Sequence, residues 1–287
     1  MNSIEFESWL KGTNRRPLIM GALNATPDSF SDGGKFGTVE SAAAFAEAMA
    51  ASGADWIDVG GESTRPGAQP IDPREQIRRT LPVIAAIRQR LSILISIDTT
   101  QGQVAEAALD IGANIVNDIS AGRDDPNMLR LCGRRGAPMV LMHMRGTPAT
   151  MQENPMYADV TGEVGGFLRE RFAAAVSAGI ERHRVLLDPG LGFGKTVSHN
   201  LRLLHDTRTL AAIGQPLVVG PSRKGFIGAV TGESRPDQRI FGTAAAVAWC
   251  IANGASVMRV HDVGAMSQVA KTISAISASK DADFVKE

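Results

Sequence analysis

Six glycines constrain what this chain can fold into more than any other feature. Gly53, Gly112, Gly136, Gly179, Gly214 and Gly254 each stand at the exit of an amphipathic stretch, just ahead of a short apolar run. Glycine is favoured just past a helix C-terminus because it enters the left-handed backbone conformation without steric cost. The runs that follow are WIDVG, IVND, MVLM, VLLD, LVVG and VMRV, so the pattern reads helix, short loop, strand, six times over. PLIMGALN near the start and LISID after the second helix raise the expected strand count to eight. The runs are short, apolar and mostly do not alternate, as expected of parallel strands covered by helices.

The intervening segments carry helix signals of their own. Val39, Ala42, Ala43, Ala46 and Ala50 recur at helical spacing. Asp72-Pro73-Arg74-Glu75 reads as an N-cap, a proline at the first helical position and a capping-box glutamate, with Pro82 expected to kink the helix that follows. Asp125-Pro126 should open a fourth helix in the same way, and a last helix is expected over about 265–278. Eight strands alternating with eight helices in 287 residues predict one α/β domain, a single (β/α)8 TIM barrel with its active site at the C-terminal ends of the strands. A doubly wound open sheet is the rival, and it requires no fixed strand count. The expected division is a short leader over residues 1–16, the barrel over 17–280 and a tail over 281–287.

Composition narrows the class. Lys and Arg number 30 against 30 Asp and Glu, and this balance argues against non-specific nucleic-acid or membrane-surface binding. The longest apolar run, Ala244 to Ala252, covers nine residues, where spanning a bilayer takes ~18 or more. The acidic start MNSIEFESW lacks the basic and apolar stretches of a signal peptide, and Cys132 and Cys250 form no CxxC motif. A cytoplasmic protein is expected.

Barrels gather function at their strand ends. Asn24 ends the first, GGESTRPGA follows the second, and Asp98, Asn117-Asp118, His143 and Asp188 end the next four. The seventh runs into Ser222-Arg223-Lys224, and the eighth carries Arg259 and His261. Arg65, Lys224, Arg259 and His261 supply three cations and an imidazole, enough to hold a multiply charged anion such as a diphosphate. Asp98, Asn117 and Asp188 supply acceptors and an amide suited to the donor-rich edge of a fused heterocycle. An open alternative pairs Asp98 and Asp188 with Lys224 or Arg259 in structural salt bridges. PGLGFGKT is no phosphate loop, because Pro189 occupies the place of its first glycine. His199 and His205 are spaced wrongly for a metal pair on one helix face, and His143 is expected to pack at the barrel rim.

MGALNATPDSFSDGG, GGESTRPGA, SIDTT, NDIS, LMHMRGTP, LLDPGLGFGK, VGPSRKGFIG and MRVHDV together resemble the dihydropteroate synthase family, in that family's order and spacing, from Leu18 to Val263. The resemblance implies a TIM barrel, usually a homodimer, that joins 6-hydroxymethyl-7,8-dihydropterin diphosphate to 4-aminobenzoate in folate biosynthesis, releases diphosphate with Mg²⁺, and is inhibited by sulfonamides. It would place Asp98, Asn117, Asp188 and Lys224 on the pterin, and Asn24, Arg65, Arg259 and His261 on the diphosphate. Asn24 and Asp32 would stand near Mg²⁺, and Phe30, Thr64, Pro66, Phe193 and Ser222 around the 4-aminobenzoate. Asp98, Lys224, Arg259 and His261 would be the catalytic set. Ser222, read as opening a helix, would offer its hydroxyl and free backbone N–H groups to the carboxylate. Glycines and prolines over 31–37 and 60–73 suggest two mobile lids. The chain departs from the family at Ala22 and Ala25, where larger aliphatics are usual, and at Pro221 before the SRK triplet. A pterin-binding methyltransferase-like barrel or an inactive pterin-binding paralogue are the alternatives.

Overall fold

In the computed structural model, residues 1–25 and 38–279 are described. They contain eight strands: β1 Leu18–Asn24, β2 Trp56–Gly60, β3 Leu94–Asp98, β4 Ile115–Asp118, β5 Met139–Met142, β6 Val185–Asp188, β7 Val218–Val219 and β8 Val257–Val260. All neighbouring pairs are parallel, in the order β6-β5-β4-β3-β2-β1-β8-β7. A parallel bridge between Leu187 and Leu217 links β6 to the residue before β7 and brings the sheet round into a nearly closed barrel. The (β/α)8 expectation holds, and the open sheet falls.

Helices Val39–Ala51, Pro73–Arg90, Gly102–Asp110, Met128–Arg135, Val160–Ser177, Val197–His205, Ile240–Ala252 and Val263–Ala278 run between or after the strands, with shorter pieces at Thr207–Ala211 and Gly225–Thr231. All six punctuating glycines take positive φ, from 60° to 108°. Local capping differs from expectation in two places. Asp72 caps Arg74 N–H, but Glu75 turns outward to Arg78 and Arg79, so no capping box closes. The fourth helix starts at Met128, because the Asp125 carboxylate accepts from Gly102 N–H at 2.7 Å and Asn127 N–H at 2.8 Å and thereby joins two helix starts. Helix Pro73–Arg90 continues through Pro82.

Residues ahead of Pro17 build the barrel floor. Helix Ser3–Lys11 is capped by Asn2 with Glu5 in reciprocal bonds. Its Phe6, Trp9 and Leu10 pack on the inward side chains Leu18, Met20, Trp56, Leu94, Ile115, Val140, Leu186, Val218 and Val257. Trp9 Nε1–H donates to the Arg16 carbonyl at 2.9 Å, and Arg16 pairs with Asp55. Strand side chains alternate between faces, so the next inward layer falls two residues further along. It holds Asp58, Ser96, Asn117, Asp188 and Arg259. A polar layer thus lies directly on a dry apolar one. Outside, a continuous shell including Ile57, Val59, Ile95, Ile97, Val116, Leu141 and Leu187 meets the helices.

Leu10 is fully buried in this floor. Leu10→Ala should therefore lower unfolding stability by ~2–5 kcal/mol, the range for removing a buried leucine side chain. Urea denaturation reads this directly, and a loss under ~1 kcal/mol would mean that the helix is not part of the core.

Candidate active site

Arg259 projects from β8 into the barrel and joins the carboxylates of two other strands. Its Nε donates to Asp58 Oδ2 at 2.7 Å and its Nη2 to Asp98 Oδ2 at 3.0 Å. Asp58 is completely buried, and its oxygens also accept from Ser96 Oγ and, at 3.2 and 3.3 Å, from Asn117 Nδ2. Strands β2, β3, β4 and β8 therefore meet in one hydrogen-bonded unit. The ion pair proposed as the alternative for Asp98 is present, and Arg259 is its partner. Asp58 escaped the sequence reading, which looked only at strand ends. Its signal was a carboxylate in the middle of the apolar run WIDVG, where only a buried partner makes a charge tolerable.

The dry surroundings shape the charges. Burial, reinforced by neighbouring Asp58 and opposed by Arg259, pushes the Asp98 carboxyl up to about 7. Burial likewise raises Asp188 to about 6, against its bond from Gly190 N–H and the attraction of Lys224, Arg259 and Lys195. Lys224 falls to about 8 through burial and the Arg259 charge. Its Nζ stands 4.2 Å from the centre of the Phe193 ring, a cation–π contact. Burial and the cations Arg259, Arg223 and Lys224 lower His261 to about 3, so it is neutral near pH 7.

Asn24 and Asp98 flank Gly60 on adjacent strands, and a Cβ there would lie 3.5 Å from Asp98 Cβ and 3.8 Å from Asn24 Oδ1. Asp118, next to Asn117, serves the backbone instead: it accepts from Ser120 N–H, Ser120 Oγ and Gly122 N–H, each at 2.7 Å. His143 is buried, as expected, with its ring edge-on to Phe167.

Ser222 differs from expectation. The helix begins at Gly225 with Lys224 as its N-cap, so Ser222 precedes it. Its Oγ accepts from His261 N–H at 3.2 Å and lies 3.0 Å from His261 Nδ1. Between them, Arg223 takes φ 61° and is fixed by a two-point pair with Asp262. Arg65 and Pro66 are exposed on the loop after β2 and Thr64 is half-buried; among the described residues no hydrogen bond joins them to the cluster. That loop is tied to the segment after β5 by Gly67 N–H donating to the Pro148 carbonyl at 2.9 Å. Phe30, Asp32 and the first expected lid lie outside the described residues.

If Asp58 neutralises Arg259 inside the barrel, Asp58→Ala should cost ~3–5 kcal/mol of stability, the penalty for leaving one partner of a buried pair alone. A loss near zero by chemical denaturation would show that Arg259 is held by other groups.

Residues 20–261 match the family of pterin binding enzymes. A dihydropteroate synthase of Synechocystis is 46% identical over 262 residues, covering 91% of each chain. A solved Yersinia pestis dihydropteroate synthase with a sulfonamide drug superposes with a TM-score of 0.87 at 39% identity, covering 92% of this chain and 95% of that one. The Xanthomonas albilineans enzyme with 4-aminobenzoic acid gives a TM-score of 0.86 at 43% identity, with 92% and 94% covered. The chain belongs to the dihydropteroate synthase family of pterin-binding enzymes.

Proposed function

We propose that this chain joins 6-hydroxymethyl-7,8-dihydropterin diphosphate to 4-aminobenzoate, forming 7,8-dihydropteroate and releasing diphosphate. Family membership supports the reaction, and one observation carries the assignment of residues: buried acids and an amide stand beside an arginine and a lysine at the mouth of a dry barrel. Asp188 is the ring anchor. A carboxylate there accepts from the 2-amino group and adjacent ring N–H of a pterin as it would from an arginine fork. Asn117 and Lys224 contact the remainder of the ring, and Asp98 faces its methylene side.

Breaking the methylene C–O bond sends the electron pair to diphosphate and leaves a cation delocalised over the electron-rich ring. The protein's task is electrostatic. Arg259 has Nε and Nη2 engaged by Asp58 and Asp98, and Nη1, with no hydrogen bond among the described residues, is the donor left for the anion. Arg65, Asn24 and His261 complete the diphosphate side. The Asn24 amide oxygen is a hard donor of the kind Mg²⁺ accepts, and with Asp32 it would hold an ion that neutralises the leaving group. Thr64, Pro66, Phe30, Phe193 and Ser222 surround the 4-aminobenzoate, whose aniline nitrogen is nucleophilic without a strong base. It attacks the methylene carbon and releases a proton. Sulfonamides occupy the same pocket.

Exposed Phe241, Trp249, Val230, Leu201 and Ile276 on packed helices support a homodimer. No described helix is long and apolar enough to cross a membrane.

Formation of 7,8-dihydropteroate, with one diphosphate released per product, should require both substrates; no such product with both present overturns the reaction. Asp188→Ala should weaken a pterin lacking diphosphate by about 10- to 200-fold, from ~1.5–3 kcal/mol of charge-assisted hydrogen bonding. Unchanged affinity in calorimetry would make Asp188 structural.

A further inference from the structure

Lys195 is a buried cation that this mechanism does not use. It is 3% exposed, yet among the described residues no carboxylate bonds it. Its ammonium sits 3.0 Å from His143 Nδ1, donates to the Phe193 carbonyl at 2.9 Å and reaches the His143 carbonyl at 3.4 Å. All three partners are formally neutral, because burial and the cations Lys195, Arg123 and Arg145 lower His143 to about 3. An ammonium held only by dipoles is costly unless a counter-charge lies near. The carboxylate that offsets it is Asp188, at the end of β6.

The loop between them leaves little freedom. A Cβ at Gly190 would overlap the His143 carbonyl oxygen, and one at Gly194 would overlap the Arg145 carbonyl. Gln152 Nε2 donates to the Gly192 carbonyl at 2.8 Å and Tyr157 Oη to the Gly194 carbonyl at 2.8 Å. Lys195 pins this Gly-rich turn to β5 from inside. Phe193, whose carbonyl it grips, carries the ring beneath Lys224.

We propose that Lys195 is a positioning residue of the pterin site: its ammonium fixes the turn that presents Phe193 to Lys224 and keeps positive potential behind Asp188, so that Asp188 meets the ligand as a carboxylate. This rests on Asp188 being the ring anchor. The groups facing Lys195 are His143, Arg145, Asp188 and Lys224. Burial, with Lys224 and Arg145 adding to it and Asp188 opposing, lowers Lys195 to about 7. Asp188 titrates near 6, where Lys195 still carries its proton. Removing that charge raises Asp188 further, and ligand binding then fails at a higher pH as acid is added.

The test is calorimetric binding of 6-hydroxymethylpterin from pH 5 to 8 by the unaltered chain, Lys195→Gln, Lys195→Met and Lys195→Arg. Lys195→Gln removes the charge and keeps a donor, and Lys195→Met leaves no donor to satisfy, so the result does not hang on one variant folding. In either, the acid limb should move up by roughly one pH unit, the size of one lost neighbouring charge. Affinity at pH 5, below both limbs, should fall roughly tenfold with it. Lys195→Arg should keep the limb where it is in the unaltered chain. The Michaelis constant for 4-aminobenzoate should rise in both neutral variants through displacement of Phe193. A uniform loss of affinity with an unmoved limb would make Lys195 a packing residue and overturn the proposal. An unaltered chain with no acid limb would instead remove Asp188 as the anchor.

Discussion

A guanidinium inside a barrel is tolerable only if carboxylates meet it, and the arrangement of this site follows from that requirement. Arg259 reaches Asp58 with one edge and Asp98 with another, so one side chain ties β8 to β2 and β3. Ser96 and Asn117 occupy the remaining acceptor capacity of Asp58, which extends the unit to β4. Below it, helix Ser3–Lys11 and the inward aliphatics keep water out of the barrel floor. That dry floor raises the acids Asp98 and Asp188 and lowers Lys224, Lys195 and His261. These opposite shifts share one cause, the cost of charge in a low dielectric.

A site built this way is poised to exchange partners. On the proposed reading, a pterin presents an N–H-rich edge that takes up acceptor capacity of the acids, and a diphosphate presents oxygens that take up donors of Arg259 and Arg65. Each substrate half then meets groups that the protein already holds in place. Gly60 stands between Asn24 and Asp98 on adjacent strands, and the Gly190–Gly194 turn brings Phe193 against Lys224. Both features are backbone decisions that place polar side chains.

Much of this was legible in the sequence, for physical reasons that vary by residue. The six helix-ending glycines declared the alternation because left-handed φ has few other tenants, and all six adopt it. Asp98, Asn117, Asp188, Lys224 and Arg259 were legible as polar interruptions at apolar strand ends, and the structure brings them to one mouth. Asp58 was not, since an inward residue mid-strand shows itself only once period-two facing is applied to β2. Ser222 was misread because helix starts are weakly signalled: the left-handed Arg223 delays the helix to Gly225. The leader gave no periodicity long enough to reveal Phe6, Trp9 and Leu10 as a floor, as its helix spans nine residues. Glu75 has the right spacing for a capping box, but two arginines one turn away compete for it.

Asp98 and Arg259 form one electrostatic unit that links the pterin and diphosphate halves of the proposed site. A double-mutant cycle on unfolding free energy, with Asp98→Asn, Arg259→Met and the pair, measures that coupling directly. A coupling energy above ~1 kcal/mol is expected for groups bonded within a single buried network. Effects that add to within ~0.5 kcal/mol would contradict it and leave Arg259 anchored by Asp58 alone.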